Sequence, residues 1–203
     1  MTHFTELAHT VSLTAAALSA MALATLLATG HALPRLLETA PKLQAVIGRM
    51  EVFQKPDKSM MVVDYAHTPD ALEKALQALR VHCRGKLWCI FGCGGDRDNG
   101  KRPMMAEIAE RLADHIILTD DNPRSEDPAV IRAAVKMGAP EALEVGDRAE
   151  AILRGVDALG AGDALLICGK GHESGQIVGN DILPFDDVEQ ASMAVAVLDG
   201  KTI

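Results

Sequence analysis

The sequence predicts an α/β fold: a Rossmann-like, doubly wound, mostly parallel sheet with a helical appendage at its N-terminus. From residue 60 onward, short apolar runs alternate with amphipathic helical segments, which is typical of parallel strands joined by crossover helices. The run Ala164–Cys168 is apolar throughout, as a central parallel strand covered on both faces should be. With 203 residues, 48% of them hydrophobic, the chain can bury such a core.

The first predicted elements are helical. Apolar positions from Leu13 to Leu27 fit one helix, Gly30 ends it, and a second, short helix runs from Pro34 to Leu37. The segment Pro41–Gln54 is predicted to be a linker that leads into the sheet.

The predicted strands of the sheet are the runs Met60–Ala66, Lys86–Phe91, His115–Leu118, Ala142–Val145 and Ala164–Cys168. The predicted helices begin at Pro69, Pro103 (to Leu112), Pro128, the Asp147 cap (to about Val156) and Val188 (to Leu198). Thr68 is a good N-cap for the first of them, whose buried stripe is Leu72, Ala75, Leu76 and Leu79. Gln176–Val178 and Ile182–Phe185 are predicted as edge strands of the sheet, joined by a hairpin turn at Gly179-Asn180.

Charge and cysteine usage exclude several functions. A formal net charge of -8 leaves no basic stripe for a phosphate backbone, so we expect a small-molecule ligand and no nucleic acid. The four cysteines form no C-x-x-C pair and lie mostly in or beside apolar runs, which indicates free thiols in a reducing cytoplasm and no zinc site. Residues 10–32 carry no charged side chain, but they are rich in Ala, Thr and Ser and no Lys or Arg precedes them, which favours a buried helix over a membrane span.

The tetrapeptide Asp121-Asn122-Pro123-Arg124 follows the predicted strand His115–Leu118, where an α/β protein presents loop side chains to a ligand. A guanidinium in that place can hold a carboxylate through two parallel hydrogen bonds, which indicates an acidic small molecule. The other interpretation is an arginine paired with Asp121 or Glu126 in an exposed turn, since surface ion pairs are common.

Four further motifs accompany the tetrapeptide along the chain. They are Gly48-Arg49-Met50, Asp64-Tyr65-Ala66-His67-Thr68-Pro69-Asp70, Gly92-Cys93-Gly94-Gly95-Asp96-Arg97-Asp98 and Gly169-Lys170-Gly171-His172-Glu173. In this order, the five motifs resemble the C-terminal part of a Mur ligase. The resemblance makes residues 1–48 a helical remnant of the family's central, ATP-binding domain and residues 49–203 its amino-acid-binding domain.

The resemblance implies an ATP-dependent acid-amino-acid ligase of peptidoglycan biosynthesis, which joins meso-2,6-diaminopimelate to UDP-MurNAc-L-Ala-D-Glu. In that reaction ATP phosphorylates the glutamate γ-carboxylate, and the diaminopimelate amine attacks the acyl phosphate. Arg97 and Arg124 would hold the distal carboxylate of diaminopimelate, and Glu173 would pair with its distal ammonium. The other implied members of this pocket are Asp121, Asn122, Pro123 and Gly169. No catalytic residue is identified.

For ATP, the resemblance implies contacts from Arg49, Asp64, Tyr65 and His67 across an interdomain cleft. A carboxylate such as Asp64, between a strand and a capped helix, commonly accepts from a ribose hydroxyl. ATP and Mg²⁺ would be bound mainly by the central domain, because no G-x-x-x-x-G-K-[ST] loop occurs here, and no metal ligand is predicted. We therefore expect a truncated chain that is inactive alone, with the missing N-terminal half as a candidate partner.

Other functions compete on the residues alone. Gly95 to Lys101 has the spacing G-x-x-x-x-G-K, but Arg102 stands where the Mg²⁺-binding hydroxyl belongs. The glycines from Gly92 to Gly95 lack the third glycine of a dinucleotide fingerprint, so a nucleotide-dependent oxidoreductase fits poorly. A free-standing α/β module that binds an amino acid or a nucleotide without catalysis is the second hypothesis.

Overall fold

A computed structural model describes residues 23–39, 48–54 and 59–200 of the chain. They divide into two compact units, one within residues 1–46 and one within residues 47–203. In the first unit, residues 23–28 are helical and helix α1 spans Leu33–Thr39. The part of the predicted first helix from Leu13 to residue 22 lies outside the described residues. The domain boundary after residue 48 stays a prediction.

Gly30 ends the first helical segment, as predicted. Its φ is +94°, its N–H donates to the Leu27 carbonyl at 3.1 Å, and the His31 N–H donates to the Leu26 carbonyl at 3.0 Å. These bonds satisfy carbonyls that the helix end would otherwise leave unpaired. They need a left-handed residue, which glycine supplies without steric cost.

The second unit is built on a six-stranded sheet. Its strands are β1 (Glu51–Gln54), β2 (Met60–Asp64), β3 (Leu87–Phe91), β4 (His115–Leu118), β5 (Leu143–Glu144) and β6 (Ala164–Cys168). They lie in the order β1-β2-β6-β3-β4-β5, and only β1 runs antiparallel to its neighbour. The predicted α/β class with a mostly parallel sheet is confirmed. Every residue of the central strand β6 is buried, as its apolar run predicts.

In the described part of this unit, five helices accompany the sheet: α2 (Pro69–Arg80), α3 (Lys101–Leu112), α4 (Pro128–Lys136), α5 (Arg148–Asp157) and α6 (Asp187–Leu198). Met61 and Val63 share one core cluster with residues of α5 and α6, while Val62 is equally buried on the opposite face. The sheet is therefore covered on both faces. The predicted buried stripe of α2 is confirmed for Leu72, Ala75, Leu76 and Leu79. No helix within the described ranges has the length and apolar character needed to cross a membrane.

Residues 51–54 correct the predicted linker Pro41–Gln54, because they form the edge strand β1. Val52 pairs with Val62 and Phe53 with Met61 in antiparallel register. The strand is only four residues long and begins and ends with a polar residue, so it shows no periodic pattern in the sequence. Short, partly polar strands are typical of sheet edges.

The predicted hairpin is confirmed, but its place in the sheet is corrected. Strands β7 (Gly175–Val178) and β8 (Asp181–Pro184) pair antiparallel around Gly179-Asn180, as a sheet of their own. The hairpin stays outside the main sheet because it contacts a loop and not an edge strand. A single bridge joins Val178 to Arg124 in the loop after β4. The hairpin therefore supports a loop that carries a predicted site residue.

The burial of the cysteine thiols should limit their reactivity. Cys89, Cys93 and Cys168 are buried, Cys83 is half-buried, and all four are free. Burial raises the pKa of the Cys93 thiol from 9.0 to about 11, which leaves about 100-fold less thiolate at pH 8. In the native protein we expect Ellman's reagent to modify Cys93 at least about 100-fold more slowly than free cysteine, and at an ordinary rate in urea. Rapid native labelling of Cys93, located by peptide mass spectrometry, would contradict the buried position.

Candidate amino-acid and nucleotide site

The strands β2, β6, β3 and β4 run parallel, so their carboxyl ends lie at one edge of the sheet. A predicted motif follows each of them, and these motifs begin at Asp64, Gly169, Gly92 and Asp121. The topology therefore gathers four separated stretches of sequence at the edge where open α/β sheets bind ligands.

Arg124 is held at the tip of the loop after β4. Its φ of +53° is a left-handed conformation that is unusual for a residue with a side chain. Its N–H donates to the Ile177 carbonyl at 3.0 Å, so the β7–β8 hairpin supports this backbone. The guanidinium Nη1 donates to the carbonyls of Gly95 at 2.9 Å and Asn122 at 3.3 Å.

The interpretation of Arg124 as half of a surface ion pair is wrong for the described residues. The Asp121 Oδ1 lies 3.8 Å from the Lys170 Nζ, and Glu126 pairs with buried Arg102 at 2.9 Å. The guanidinium of Arg124 donates to backbone carbonyls and forms no ion pair within the described ranges, although its charge acts on the nearby Asp96 carboxylate. A cation in this state can accept a carboxylate from a ligand.

Arg97 and Arg124 both pass over Gly94. A Cβ on Gly94 would lie 2.7 Å from the Arg124 Nη1 and 3.8 Å from the Arg97 Cγ. Arg97 is exposed, and its Nη1 donates to the Asp96 carbonyl at 3.0 Å. The Asp96 carboxylate accepts from the Ser125 hydroxyl at 2.7 Å and from the Ser125 N–H at 3.2 Å. These bonds tie the two arginine-bearing loops together, so the side chains of Arg97 and Arg124 both approach Gly94.

Asn122 joins the loop after β4 to the motif after β6. Its Nδ2 donates to the Glu173 Oε2 at 2.9 Å, and its backbone carbonyl accepts from the Arg124 Nη1. One residue therefore contacts both the predicted cation and the predicted anion of the pocket. The side chain of Glu173 is 34% exposed, so a ligand can reach it.

Asp121 and Pro123 are buried and have internal contacts. Burial raises the pKa of Asp121, and the positive charges of Arg148 and Lys170 oppose this effect. Gly169 has φ +120°, and a Cβ there would lie 2.7 Å from the Asp121 Oδ2, so a larger residue would displace the carboxylate. Contact of Asp121, Pro123 or Gly169 with a ligand stays a prediction.

The predicted nucleotide residues form a second group at the end of β2. The Arg49 guanidinium lies 4.2 Å from the centroid of the Tyr65 ring, a distance at which cation and π-face attract. The His67 and His172 ring centroids lie 4.5 Å and 5.1 Å from that of Tyr65. Arg49, His67 and His172 are exposed, so this cluster presents one cation and two rings to solvent around the half-buried Tyr65.

Asp64 holds the nucleotide group in shape. Its Oδ2 accepts from the Met50 N–H and its Oδ1 from the Ala66 N–H, both at 2.8 Å. Beside it, the backbone of Gly48 touches that of Gly171, since a Cβ on Gly48 would lie 2.1 Å from the Gly171 carbonyl carbon. The structure thus brings Arg49, Asp64, Tyr65 and His67 together, and their contact with ATP stays a prediction.

Two cations with fully buried side chains, Arg148 and Lys170, were missed by the sequence analysis. Lys170 is fully buried beside Asn122. Arg148 and Asp187 form a fully buried ion pair at 2.7 Å, and the Asp187 carboxylate holds the pKa of Arg148 above its ordinary value although burial opposes the charge. A signal was available for Arg148, because it shares the helical face of Ala151 and Ile152 at the spacing i, i+3, i+4.

Neither a metal centre nor a phosphate loop is apparent at this edge. Among the described side chains, no group of three or more His, Cys, Asp or Glu could hold a metal ion. Lys101, the lysine of the G-x-x-x-x-G-K match, donates to the His67 carbonyl at 2.8 Å. It therefore braces the nucleotide group from its own helix.

Comparison with known proteins agrees with this arrangement. A family model described as Mur ligase, glutamate ligase domain, matches residues 48–171, more than half of the chain. The chain belongs to the Mur ligase family. The resemblance that the five motifs carry is thereby confirmed, and the α/β fold is that of Mur ligase C-terminal domains.

Two relatives in this family are each named "UDP-N-acetylmuramoyl-L-alanyl-D-glutamate--2,6-diaminopimelate ligase". The protein of Vibrio vulnificus is 56% identical over 180 residues, which cover 87% of this chain and 36% of the relative. That of Vibrio cholerae is 57% identical over 174 residues, which cover 84% and 35%. A solved structure with this name is 43% identical, with a TM-score of 0.72, over 88% of this chain and 37% of its own. The chain therefore spans about a third of the length of these Mur ligases.

Proposed function

We propose that this chain is the C-terminal, amino-acid-binding part of a ligase that adds meso-2,6-diaminopimelate to UDP-MurNAc-L-Ala-D-Glu in peptidoglycan biosynthesis. The observation that carries the proposal is a pair of opposite charges held by one residue. The backbone carbonyl of Asn122 accepts from Arg124, and its side-chain amide donates to Glu173. A ligand with a carboxylate and an ammonium on one carbon matches this pair.

meso-Diaminopimelate carries these two groups on its distal carbon. Arg124, with Arg97 beside it, would bind the distal carboxylate, and Glu173 would bind the distal ammonium. L-Lysine has the ammonium but lacks the carboxylate, so it would leave the guanidiniums unpaired. Desolvating unpaired charges is unfavourable, and the site would therefore discriminate against lysine. The names of the Vibrio relatives support the same ligand.

On the nucleotide side, we assign ATP to the group formed by Arg49, Asp64, Tyr65 and His67. The exposed Arg49 guanidinium suits a phosphate, and the neighbouring rings suit a base or a sugar. ATP would supply the phosphoryl group that activates the acceptor carboxylate. We assign the binding of Mg²⁺ and of the UDP-sugar, and most contacts with ATP, to the remaining two thirds of the intact ligase. We place the intact ligase in the cytoplasm.

This domain would contribute to the reaction by positioning the amine nucleophile of diaminopimelate. After transfer of the phosphoryl group to the glutamate γ-carboxylate, the proximal amine of diaminopimelate attacks the acyl carbon. A C–N bond forms, the C–O bond to phosphate breaks, and phosphate leaves with the electron pair while the amine loses a proton. Holding the distal carbon by both of its charged groups would leave the proximal amine as the free nucleophile and restrict its motion.

Calorimetric titration of the chain tests the proposal. We expect meso-diaminopimelate to bind at least about tenfold more tightly than L-lysine, because only diaminopimelate pairs with the guanidiniums. NAD should produce no heat. Equal affinity for the two amino acids, or binding of NAD, would refute the proposed ligand.

A chimera separates a ligase domain from a free-standing binding module. In it, the chain replaces the matching third of the Vibrio cholerae relative, to which it is 57% identical. We expect phosphate release from ATP that depends on meso-diaminopimelate and on the UDP-sugar substrate. A soluble chimera that binds diaminopimelate but releases no phosphate would favour the non-catalytic module.

A further inference from the structure

Lys170 is a buried cation without a short ion pair in the described residues. It lies between Gly169 and Gly171, both of which have positive φ, and its side chain is 0% exposed. The Asp121 and Glu173 carboxylates are 3.8 Å and 3.9 Å from its Nζ. Burial lowers the pKa of Lys170, which Asp121 opposes. Burying an ammonium is costly, so its hydrogen bonds should be important to the site.

The closest contacts of Lys170 are two oxygens. Its Nζ donates to the Gly175 carbonyl at 2.6 Å and to the Asn122 Oδ1 at 3.0 Å. The Ile177 N–H also donates to the Asn122 Oδ1, at 2.9 Å. Two donors that converge on one end of an amide identify that end as the oxygen. The orientation of the Asn122 amide is therefore set by Lys170 and by the hairpin backbone.

The orientation of the Asn122 amide determines which of its two end atoms contacts Glu173. With its oxygen turned to Lys170, Asn122 presents Nδ2 to Glu173, whose Oε2 accepts at 2.9 Å. A reversed amide would place its oxygen against the carboxylate, which is repulsive. Within the described ranges, the other carboxylate oxygen, Oε1, has no hydrogen-bond partner, and the side chain is partly exposed. The anchored Oε2 thus leaves Oε1 for a ligand.

We propose that Lys170 is a positioning residue: through the Asn122 amide it orients the Glu173 carboxylate toward the ammonium of the bound amino acid. The inference rests on the proposed function for the identity of the ligand. It also separates the two ends of the pocket. Arg124 binds Asn122 through the backbone carbonyl, which does not turn with the side-chain amide. Lys170 therefore acts on recognition of the ammonium and not on recognition of the carboxylate.

Three amino acids test this separation. meso-Diaminopimelate has both distal groups, L-lysine has only the ammonium, and L-2-aminopimelate has only the carboxylate. For Lys170→Met, we expect the Kd of diaminopimelate and of lysine to rise at least about tenfold, as for loss of a hydrogen bond to a charged group. The Kd of 2-aminopimelate should change by less than about threefold. The control is Lys74→Met, which removes an exposed lysine from α2 and should change none of the three.

A second measurement needs no ligand. In the parent chain, NMR should show slowly exchanging Nδ2 protons of Asn122 with nuclear Overhauser contacts to the Glu173 side chain. Lys170→Met should lose these contacts, and Lys170→Arg, which keeps the charge and the donors, should retain them. If Lys170→Met does not fold, the parent spectrum still decides, because missing contacts there would overturn the inference.

Failure of the inference about Lys170 and failure of the proposed function would give different results. Equal weakening of all three ligands by Lys170→Met would mean that Lys170 only supports the loop, and unchanged Asn122 signals would mean that it does not set the amide. Either result overturns the inference and leaves the proposed function standing. A parent chain that binds none of the three ligands would overturn the proposed function, while the NMR contacts would still judge the role of Lys170.

Discussion

Asp187→Asn should lower the free energy of unfolding by about 3 to 5 kcal/mol, the usual cost of removing one partner from a buried ion pair. Arg148 and Asp187 are both fully buried, and two 2.7 Å bonds join them, from Nε to Oδ1 and from Nη2 to Oδ2. Arg148 also donates to the Cys168 carbonyl at 2.9 Å, which holds its guanidinium in the interior. The neutral amide would leave that charge without its compensating partner.

Urea unfolding followed by circular dichroism measures this loss. The matched control is Glu150→Gln on α5, the helix of Arg148, which removes the partner of Arg154 in an exposed pair and should cost less than about 1 kcal/mol. The double variant Arg148→Met with Asp187→Leu removes both charges and should cost less than the sum of the single changes. If Asp187→Asn lost no more stability than Glu150→Gln, the pair would not be desolvated in solution.

Arg124→Gln should weaken binding of meso-diaminopimelate by about 2 to 5 kcal/mol, which is on the order of 30- to 5000-fold in Kd. The change removes one of the two charged partners of the ligand's distal carboxylate and leaves only Arg97, while the glutamine amide can still donate to the Gly95 and Asn122 carbonyls that Arg124 contacts. L-Lysine has no distal carboxylate, so its affinity should be unchanged or slightly higher. The informative quantity is the ratio of the two dissociation constants.

Calorimetry with both amino acids gives this ratio. Arg154→Gln, a change of the same kind at an exposed position on α5, is the control and should leave both affinities unchanged. Equal weakening of diaminopimelate and lysine would show that Arg124 supports the loop without touching the ligand. The identification of meso-diaminopimelate as the ligand, which is based on the tetrapeptide Asp121-Asn122-Pro123-Arg124, would then be withdrawn.

Local chemistry made much of the fold predictable. The apolar spacing in α2 predicts its buried residues, and Thr68 and Asp147 cap α2 and α5 by accepting from the Ala71 and Glu150 N–H groups. The gathering of the motifs at one edge was predictable as well, because parallel strands bring the loops at their carboxyl ends together. The five motifs, taken with the family resemblance, predict which of these loops carry charged side chains.

Long-range contacts were not predictable from local patterns. β1 is too short to show a period, and the attachment of the β7–β8 hairpin depends on the turn at Arg124 and not on the hairpin's own residues. The same holds for Lys170, whose partner Asn122 is distant in sequence, and for the Arg148–Asp187 pair. Charged side chains are normally exposed, so the burial of Lys170 and Asp187 is evident only in the assembled fold, whereas Arg148 lies on the apolar face of α5.

The position of β6 has a consequence for biosynthesis. It is the last strand of the main sheet to be translated, yet it lies between β2 and β3. Met60 of β2 and its partner Ala164 of β6 are separated by about a hundred residues of sequence. On the ribosome, the β1–β2 pair and the β3–β4–β5 group each have an open, hydrogen-bonding edge until residue 168 emerges. Nascent chains that end before β6 should therefore be protease-sensitive and prone to stick to one another. The complete sheet can therefore form only after most of the chain has been synthesised.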